Sequence, residues 1–138
     1  MGTRPVQTGH APVSMRVPFA ASSVSHARQQ LKRWMAEAGS SADHIEDARV
    51  VISELVGNAV RHAQPLSDGT ILVTWSPTRR GLELSVTDGG SPTRPRTVNA
   101  PSSALAGRGM TIVETLASKW WAEQTRSRCT VHAILPMS

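Results

Sequence analysis

Tyrosine is absent from this 138-residue chain, and phenylalanine and cysteine each occur once. The four tryptophans therefore carry nearly all of the aromatic volume. The single cysteine, Cys129, permits no disulfide within the chain, which favours a reducing compartment and predicts a cytoplasmic protein. There is no run of about 18 apolar residues and no charged-then-apolar leader, so the sequence indicates neither membrane insertion nor secretion.

Charge of one sign is not concentrated anywhere in the chain. Fifteen Lys and Arg residues stand against ten Asp and Glu residues, a formal net charge of +5, without a block of like charges. A basic tail for nucleic acid is therefore not indicated, and the excess suits an anionic ligand or an acidic protein partner at least as well. The length predicts one domain with a real core rather than two.

The segment around which the chain is organised is VVISELVGNAVRHA, residues 50–63. Its helical spacing predicts one apolar stripe formed by Ile45, Ala48, Ile52, Leu55 and Ala59. Glu54 and Asn58 are four residues apart and lie beside that stripe, with Arg61 a turn further on. Gly57 costs about 1 kcal/mol relative to alanine, which is reasonable if a ligand or another backbone approaches there. The alternative is an ordinary amphipathic helix with a solvated polar face.

The other segments predict an α+β two-layer sandwich, with a mixed, mostly antiparallel sheet and the helices on one face. Residues 1–12 are predicted to be a disordered tail, and residues 13–138 to be the domain. Pro18 marks the first strand as an edge strand. Ser22 or Ser23 is expected to cap the first helix, and Asp43 the second. The remaining predicted elements are strands at 70–75 and 82–86, a loop at 91–106, a helix from Ile112 to Trp120, and a closing hairpin at 121–124 and 129–135.

Three polar groups follow one another along the chain. Asp88 comes just after a half-buried strand, where its carboxylate can accept a hydrogen bond from an exocyclic amine while the flanking glycines let a flat ring approach. Gly107 and Gly109 precede a helix and offer free N–H groups to an anion. Asn58 supplies a hard carbonyl oxygen of the kind that magnesium accepts together with phosphate oxygens. Together they predict a pocket for adenine and magnesium triphosphate, whereas each alone is commonly a turn or a helix start.

These segments resemble the motifs of the Bergerat-fold ATPases, the superfamily of gyrase, mismatch-repair and histidine-kinase ATP-binding domains. ELVGNAVRHA resembles the N box, VTDGGSP the first glycine box and GRGMTIVETLA the second. The compact form is most similar to stand-alone anti-sigma-factor serine kinases of bacteria, and the similarity covers roughly residues 14–135.

The resemblance implies ATP and Mg²⁺ as cofactors and a role for each matching residue. Glu54 would be the general base, Asn58 the magnesium ligand and Asp88 the adenine reader. Phosphate and lid contacts would come from Gly90, Gly107, Arg108, Gly109 and Met110. Lesser nucleotide contacts would come from Arg61 and Thr130. The loop at residues 91–106 is expected to be mobile without nucleotide and ordered with it.

The implied function is phosphorylation of a serine or threonine of a small antagonist protein, sequestration of a sigma factor, or both. Pro92 departs from the first glycine box, where a glycine is usual, and Arg128 and Cys129 replace a common turn glycine. A catalytically silent, ATP-gated protein-binding switch is therefore the main alternative. A detached histidine-kinase catalytic domain and a basic nucleic-acid binder rank lower. The sequence leaves a homodimer open.

Overall fold

The computed structural model describes residues 11–90 and 110–137. Most of the predicted tail at residues 1–12 and the whole predicted loop at residues 91–106 lie outside the described residues. The same is true of Gly107, Arg108 and Gly109. The second glycine box is therefore described only from Met110 onwards.

The described elements follow one another in the predicted order. They are β1 (Val13–Pro18), α1 (Ser22–Glu37), α2 (Ala42–His62), β2 (Thr70–Thr78), β3 (Gly81–Asp88), α3 (Thr111–Leu116), β4 (Lys119–Gln124) and β5 (Cys129–Leu135). The five strands form one sheet in the order β1-β2-β3-β5-β4, and every neighbouring pair is antiparallel. β1 is an edge strand, as Pro18 predicts. The predicted α+β fold is confirmed.

The core lies between the sheet and α2, which packs against β3 and β5 while α1 and α3 pack against α2. Four members of the predicted stripe, Ala48, Ile52, Leu55 and Ala59, are at most 5% exposed, and Ile45 packs against the core as a partly buried residue. Trp75 of β2 fills the largest volume among the fully buried side chains. Within the described ranges, no helix combines the length and hydropathy needed to cross a membrane.

Both predicted helix caps are wrong in detail. α2 begins after Ser41, whose Oγ accepts the N–H of His44 at 3.1 Å, and Asp43 lies in the first turn instead. α1 follows Ala21, and the N-cap has no side-chain hydrogen bond among the described residues. Ser23 is turned inward, where its Oγ donates to the carbonyl oxygen of Pro18 at 2.6 Å. Residue type alone allows several N-caps at each helix start, and the backbone geometry decides which side chain faces the free N–H groups.

The prediction that the last helix extends to Trp120 is wrong. α3 ends at Leu116, Ala117 is already extended, and Trp120 lies in β4 opposite Ala133 of β5. The N–H of Ser118 donates to the carbonyl oxygen of Ile134 at 2.8 Å, so the chain joins the sheet as soon as the helix ends. An apolar residue four positions after Leu116 fits a helical stripe, but pairing with a distant strand prevails here.

Candidate functional site

A narrow cleft opens between α2 and the ends of β3 and β5. It is lined by Leu55, Asn58, Ala59, Val86, Asp88, Met110, Cys129 and Val131. Asn58 and Asp88, predicted from separate motifs, therefore face the same space, and they are 7% and 6% exposed. The cleft holds only about 20 Å³ of open volume in this conformation, and Met110 is 2% exposed within it. Two polar groups among apolar walls are typical of a site that orients a small ligand.

Asp88 is held at the cleft by the backbone that follows it. The N–H of Gly90 donates to Asp88 Oδ1 at 2.7 Å, and Gly90 has a φ of 82°, which favours glycine. The N–H of Gly89 donates to the carbonyl oxygen of Gln64 at 2.7 Å. The N–H of Gln64 in turn donates to the carbonyl oxygen of Gly90 at 3.0 Å. We call these two main-chain bonds the 64–90 clamp. The clamp fixes Asp88 relative to the end of α2.

Gly89 has a structural task that differs from the one expected. A Cβ on Gly89 would lie 2.1 Å from the carbonyl oxygen of Pro65, so the clamp needs a residue without a side chain. The glycines on either side of the expected ring position predict instead that the bare backbone lets a flat ring approach. In the structure, the backbone that approaches Gly89 belongs to the chain itself.

Asn58 is engaged through both atoms of its amide. Its Nδ2 donates to the sulfur of Met110 at 3.3 Å, and its Oδ1 accepts from Nη2 of Arg61 at 3.1 Å. The structure therefore brings together Asn58, Arg61, Asp88, Gly90 and Met110 of the predicted site.

Glu54 lies one turn before Asn58 and outside the cleft. It is half-buried and stands where two shallow grooves meet. One groove is mostly apolar and is lined by Val50, Thr111, Ile112, Thr115 and Leu116. The other is polar and is lined by Arg28, Glu46, Arg49, Val50 and Ser53. Among residues 11–90 and 110–137, Glu54 thus lines an open surface that a large partner can reach.

Thr130 lies on the other face of the sheet from Asp88. Its Oγ1 is 2.8 Å from Oγ1 of Thr87, whereas its neighbours Cys129 and Val131 line the cleft. Since successive side chains of a strand point to opposite faces, Thr130 points away from the cleft. Cys129, which pairs in register with Asp88, is a cleft residue that the sequence analysis missed. The alternation of β5 shows that Cys129 and Thr130 face opposite ways, but only the long-range register shows which one meets Asp88.

The chemistry of the cleft suits an adenine ring, although with about 20 Å³ of open volume its walls must move apart before a ring can enter. One buried carboxylate among apolar side chains can accept from an exocyclic amine while the walls cover the ring faces. Residues 11–90 and 110–137 contain no group of three His, Cys, Asp or Glu side chains arranged to hold a metal ion. Beside the Asp88 carboxylate, the cleft offers the carboxamide oxygen of Asn58, a single donor of the kind that suits an ion such as Mg²⁺, which keeps most of its ligands as waters and phosphate oxygens.

A comparison with models of known protein families shows to which family the chain belongs. The model of the histidine kinase-like ATPase domain matches residues 17–134. The chain belongs to this family. This confirms the resemblance stated from the N box and the glycine boxes.

The sequence is also similar to individual proteins named as serine-protein kinases. The serine-protein kinase RsbW of Listeria innocua is 30% identical over 121 residues, which are 79% of this chain and 77% of that protein. RsbW of Staphylococcus aureus is 47% identical over a shorter stretch of 51 residues, 37% of this chain and 32% of that protein.

A solved structure shares the fold of this chain. It contains the RsbU and RsbW domains of Rv1364c from Mycobacterium tuberculosis, and it aligns with a TM-score of 0.72 at 23% identity. The alignment covers 92% of this chain and 32% of that longer chain. At this identity the likeness supports the fold alone.

Proposed function

We propose that this protein is an ATP-binding regulator of the anti-sigma-factor type and acts as a protein serine/threonine kinase. The observation that carries the proposal is the shared cleft of Asn58 and Asp88, with Glu54 one turn along the same helix and open to a partner. The relatives named serine-protein kinase RsbW support the same reaction class.

Asp88 is the proposed reader of adenine. Its Oδ1 already accepts the N–H of Gly90, which fixes the plane of the carboxylate. The carboxylate then presents a charged acceptor to an exocyclic amine, and a hydrogen bond to a charged group is stronger than one between neutral groups. Leu55, Ala59 and Val86 supply apolar walls for the ring.

Asn58 is the proposed protein ligand of Mg²⁺, through Oδ1. The ion would neutralise charge on the triphosphate, the main requirement of phosphoryl transfer. The second glycine box, Gly107 to Met110, is proposed to contact the phosphates through its N–H groups, with Arg108 near the γ-phosphate. Gly90 and Arg61 stay proposed nucleotide contacts. Thr130 stays a contact that only the resemblance implies, because its side chain lies on the face of the sheet away from the cleft.

Glu54 is the proposed general base. A base must lie within hydrogen-bond reach of the incoming hydroxyl, and Glu54 is the carboxylate on α2 nearest to Asn58 in the chain. The grooves on either side of Glu54 provide a surface on which a phosphoacceptor protein can lie, with Ile112, 41% exposed, in the apolar groove. The proposed partners are a small antagonist protein, which would receive the phosphoryl group, and a sigma factor.

The test separates binding from chemistry with Glu54→Gln. Glutamine keeps the shape of the side chain but cannot take a proton, so phosphorylation should slow by about 10²- to 10⁴-fold. ATP affinity, measured by calorimetry, should barely change. The substrate is found by incubating the wild type with radiolabelled ATP, Mg²⁺ and a lysate of the source organism, and looking for one small labelled protein. Wild-type rates in Glu54→Gln would remove Glu54 from the mechanism.

The alternative is an ATP-gated switch that binds a partner without phosphorylating it. One observation favours it: Glu54 lies outside the cleft that Asn58 and Asp88 share. ATP-dependent capture of a partner, with no transfer of label in the presence of Mg²⁺, would establish this function in place of the kinase.

A further inference from the structure

Arg61 folds back along α2 and contacts the oxygen to which the proposed function assigns the metal. Its Nη2 donates to Asn58 Oδ1 at 3.1 Å. Asn58 is buried and Arg61 is exposed, so the guanidinium reaches from solvent to the mouth of the cleft. A single oxygen atom is thus the target of two cations, one within the chain and one that would arrive with a nucleotide.

The orientation of the Asn58 amide follows from its two partners. A guanidinium only donates hydrogen bonds, so the amide atom that meets Arg61 is the oxygen. The nitrogen then faces the sulfur of Met110, a weak acceptor, at 3.3 Å. The nucleotide-free amide is satisfied within the chain, and the stronger of its two contacts is the charged one.

Gly57 provides the room for this contact. A Cβ at position 57 would lie 2.9 Å from Nη1 of Arg61, closer than real Cβ contacts come. Glycine inside a helix lowers helix stability relative to alanine. The sequence suggested that a ligand or another backbone approaches Gly57, and the group that approaches is the guanidinium of Arg61.

We propose that Arg61 is a positioning residue: it holds Asn58 as a substitute cation until a metal–nucleotide displaces it. The inference rests on the proposed function. The carboxamide oxygen has two lone pairs, but a guanidinium and a metal ion held on the same oxygen repel each other, so binding of the ion favours release of the guanidinium. A state that must be left before binding lowers the apparent affinity for the ligand. The released Arg61 is then free to contact an anionic phosphate.

The first test measures the Mg²⁺ concentration that gives half of the magnesium-dependent gain in affinity for a fluorescent ATP analogue. Arg61→Met removes the competitor, and the midpoint should fall by about 3- to 10-fold. Gly57→Ala keeps Arg61 but crowds its guanidinium, so the Mg²⁺ midpoint of this variant should fall as well. Its melting temperature should not fall. Arg61→Lys keeps a cation without the planar fork and should lie between the wild type and Arg61→Met.

A residue that only contacts nucleotide gives a different pattern. Arg61→Met would then weaken binding equally with Mg²⁺ and with a chelator, and Gly57→Ala would leave the midpoint unchanged. Either a rise of the midpoint in Arg61→Met or this pattern would overturn the proposal.

The second test needs no nucleotide. The side-chain amide signals of Asn58 in a ¹⁵N spectrum should move in Arg61→Met and in Gly57→Ala. They should stay in place in Arg16→Met, a control on the edge strand β1 where Arg16 pairs with Asp68 at 3.1 Å. Unmoved signals in Arg61→Met would overturn the contact even if the protein binds ATP. If the signals move but the protein binds no adenine nucleotide, the contact between Arg61 and Asn58 is established and the proposed function is overturned. The proposed competition with a metal ion is then overturned as well.

Discussion

Replacing Asp88 with asparagine tests the proposed adenine site more sharply than removing the side chain. Asparagine has the shape of aspartate, and the Gly90 N–H, which lies 2.7 Å from Oδ1 in the wild type, demands an acceptor. The amide oxygen should therefore turn towards Gly90, and the NH₂ group should turn towards the ligand. Adenine would present its exocyclic amine to another donor.

The expected loss of ATP affinity follows from the burial of Asp88. Asp88 is 6% exposed, so solvent cannot replace the missing acceptor. Loss of a hydrogen bond to a charged group costs about 1.5–3 kcal/mol, which corresponds to a loss of affinity of about 10- to 150-fold. The Gly90 bond survives in the variant, so the folded structure should be retained.

Calorimetry with ATP and with ITP makes the assay selective. Hypoxanthine carries a carbonyl where adenine carries its amine, so the NH₂ of Asp88→Asn can donate to it. The variant should lose ATP affinity and gain in preference for ITP, with a melting temperature within a few degrees of the wild type. Unchanged ATP affinity in a folded Asp88→Asn protein would refute the adenine assignment.

Four further substitutions test the clamp, the metal ligand and the start of α2. Gly89→Ala places a Cβ 2.1 Å from the carbonyl oxygen of Pro65 and should lower the free energy of unfolding by more than about 2 kcal/mol. Gly90→Ala is the matched control, because its Cβ would have no neighbour closer than 3.8 Å. It should cost only the backbone strain of a φ of 82°, about 1–2 kcal/mol. Equal losses in chemical denaturation would contradict the clamp. Asn58→Ala should abolish the gain in nucleotide affinity that Mg²⁺ gives and keep binding in a chelator; a surviving gain would exclude Asn58 as the ligand. Ser41→Ala should lower stability by about 1 kcal/mol through the lost cap, with ATP affinity as the unchanged control.

The sequence allowed the order of elements and the two polar ends of the cleft to be predicted, because both depend on local patterns. The alternation of β3 ends at Asp88, and the helical stripe fixes which side of α2 carries Asn58. What could not be predicted depends on partners far along the chain. Cys129 enters the cleft through its register with Asp88, and Trp120 leaves the helical pattern because Ala133 pairs with it. The guanidinium that lies against Gly57 is placed there by a side-chain rotamer of Arg61, which spacing does not reveal.

The 64–90 clamp joins the two halves of the cleft through main-chain atoms alone. Gln64 contributes only its N–H and its carbonyl oxygen, and Pro65 contributes a carbonyl oxygen that lies against Gly89. The identities of residues 64 and 65 can therefore drift during evolution without moving Asp88. Their number cannot, because one residue inserted between α2 and this point would shift the pairing and displace the carboxylate relative to Asn58. We expect related proteins to differ in residue type at positions 64 and 65 and to keep the number of residues between α2 and the clamp.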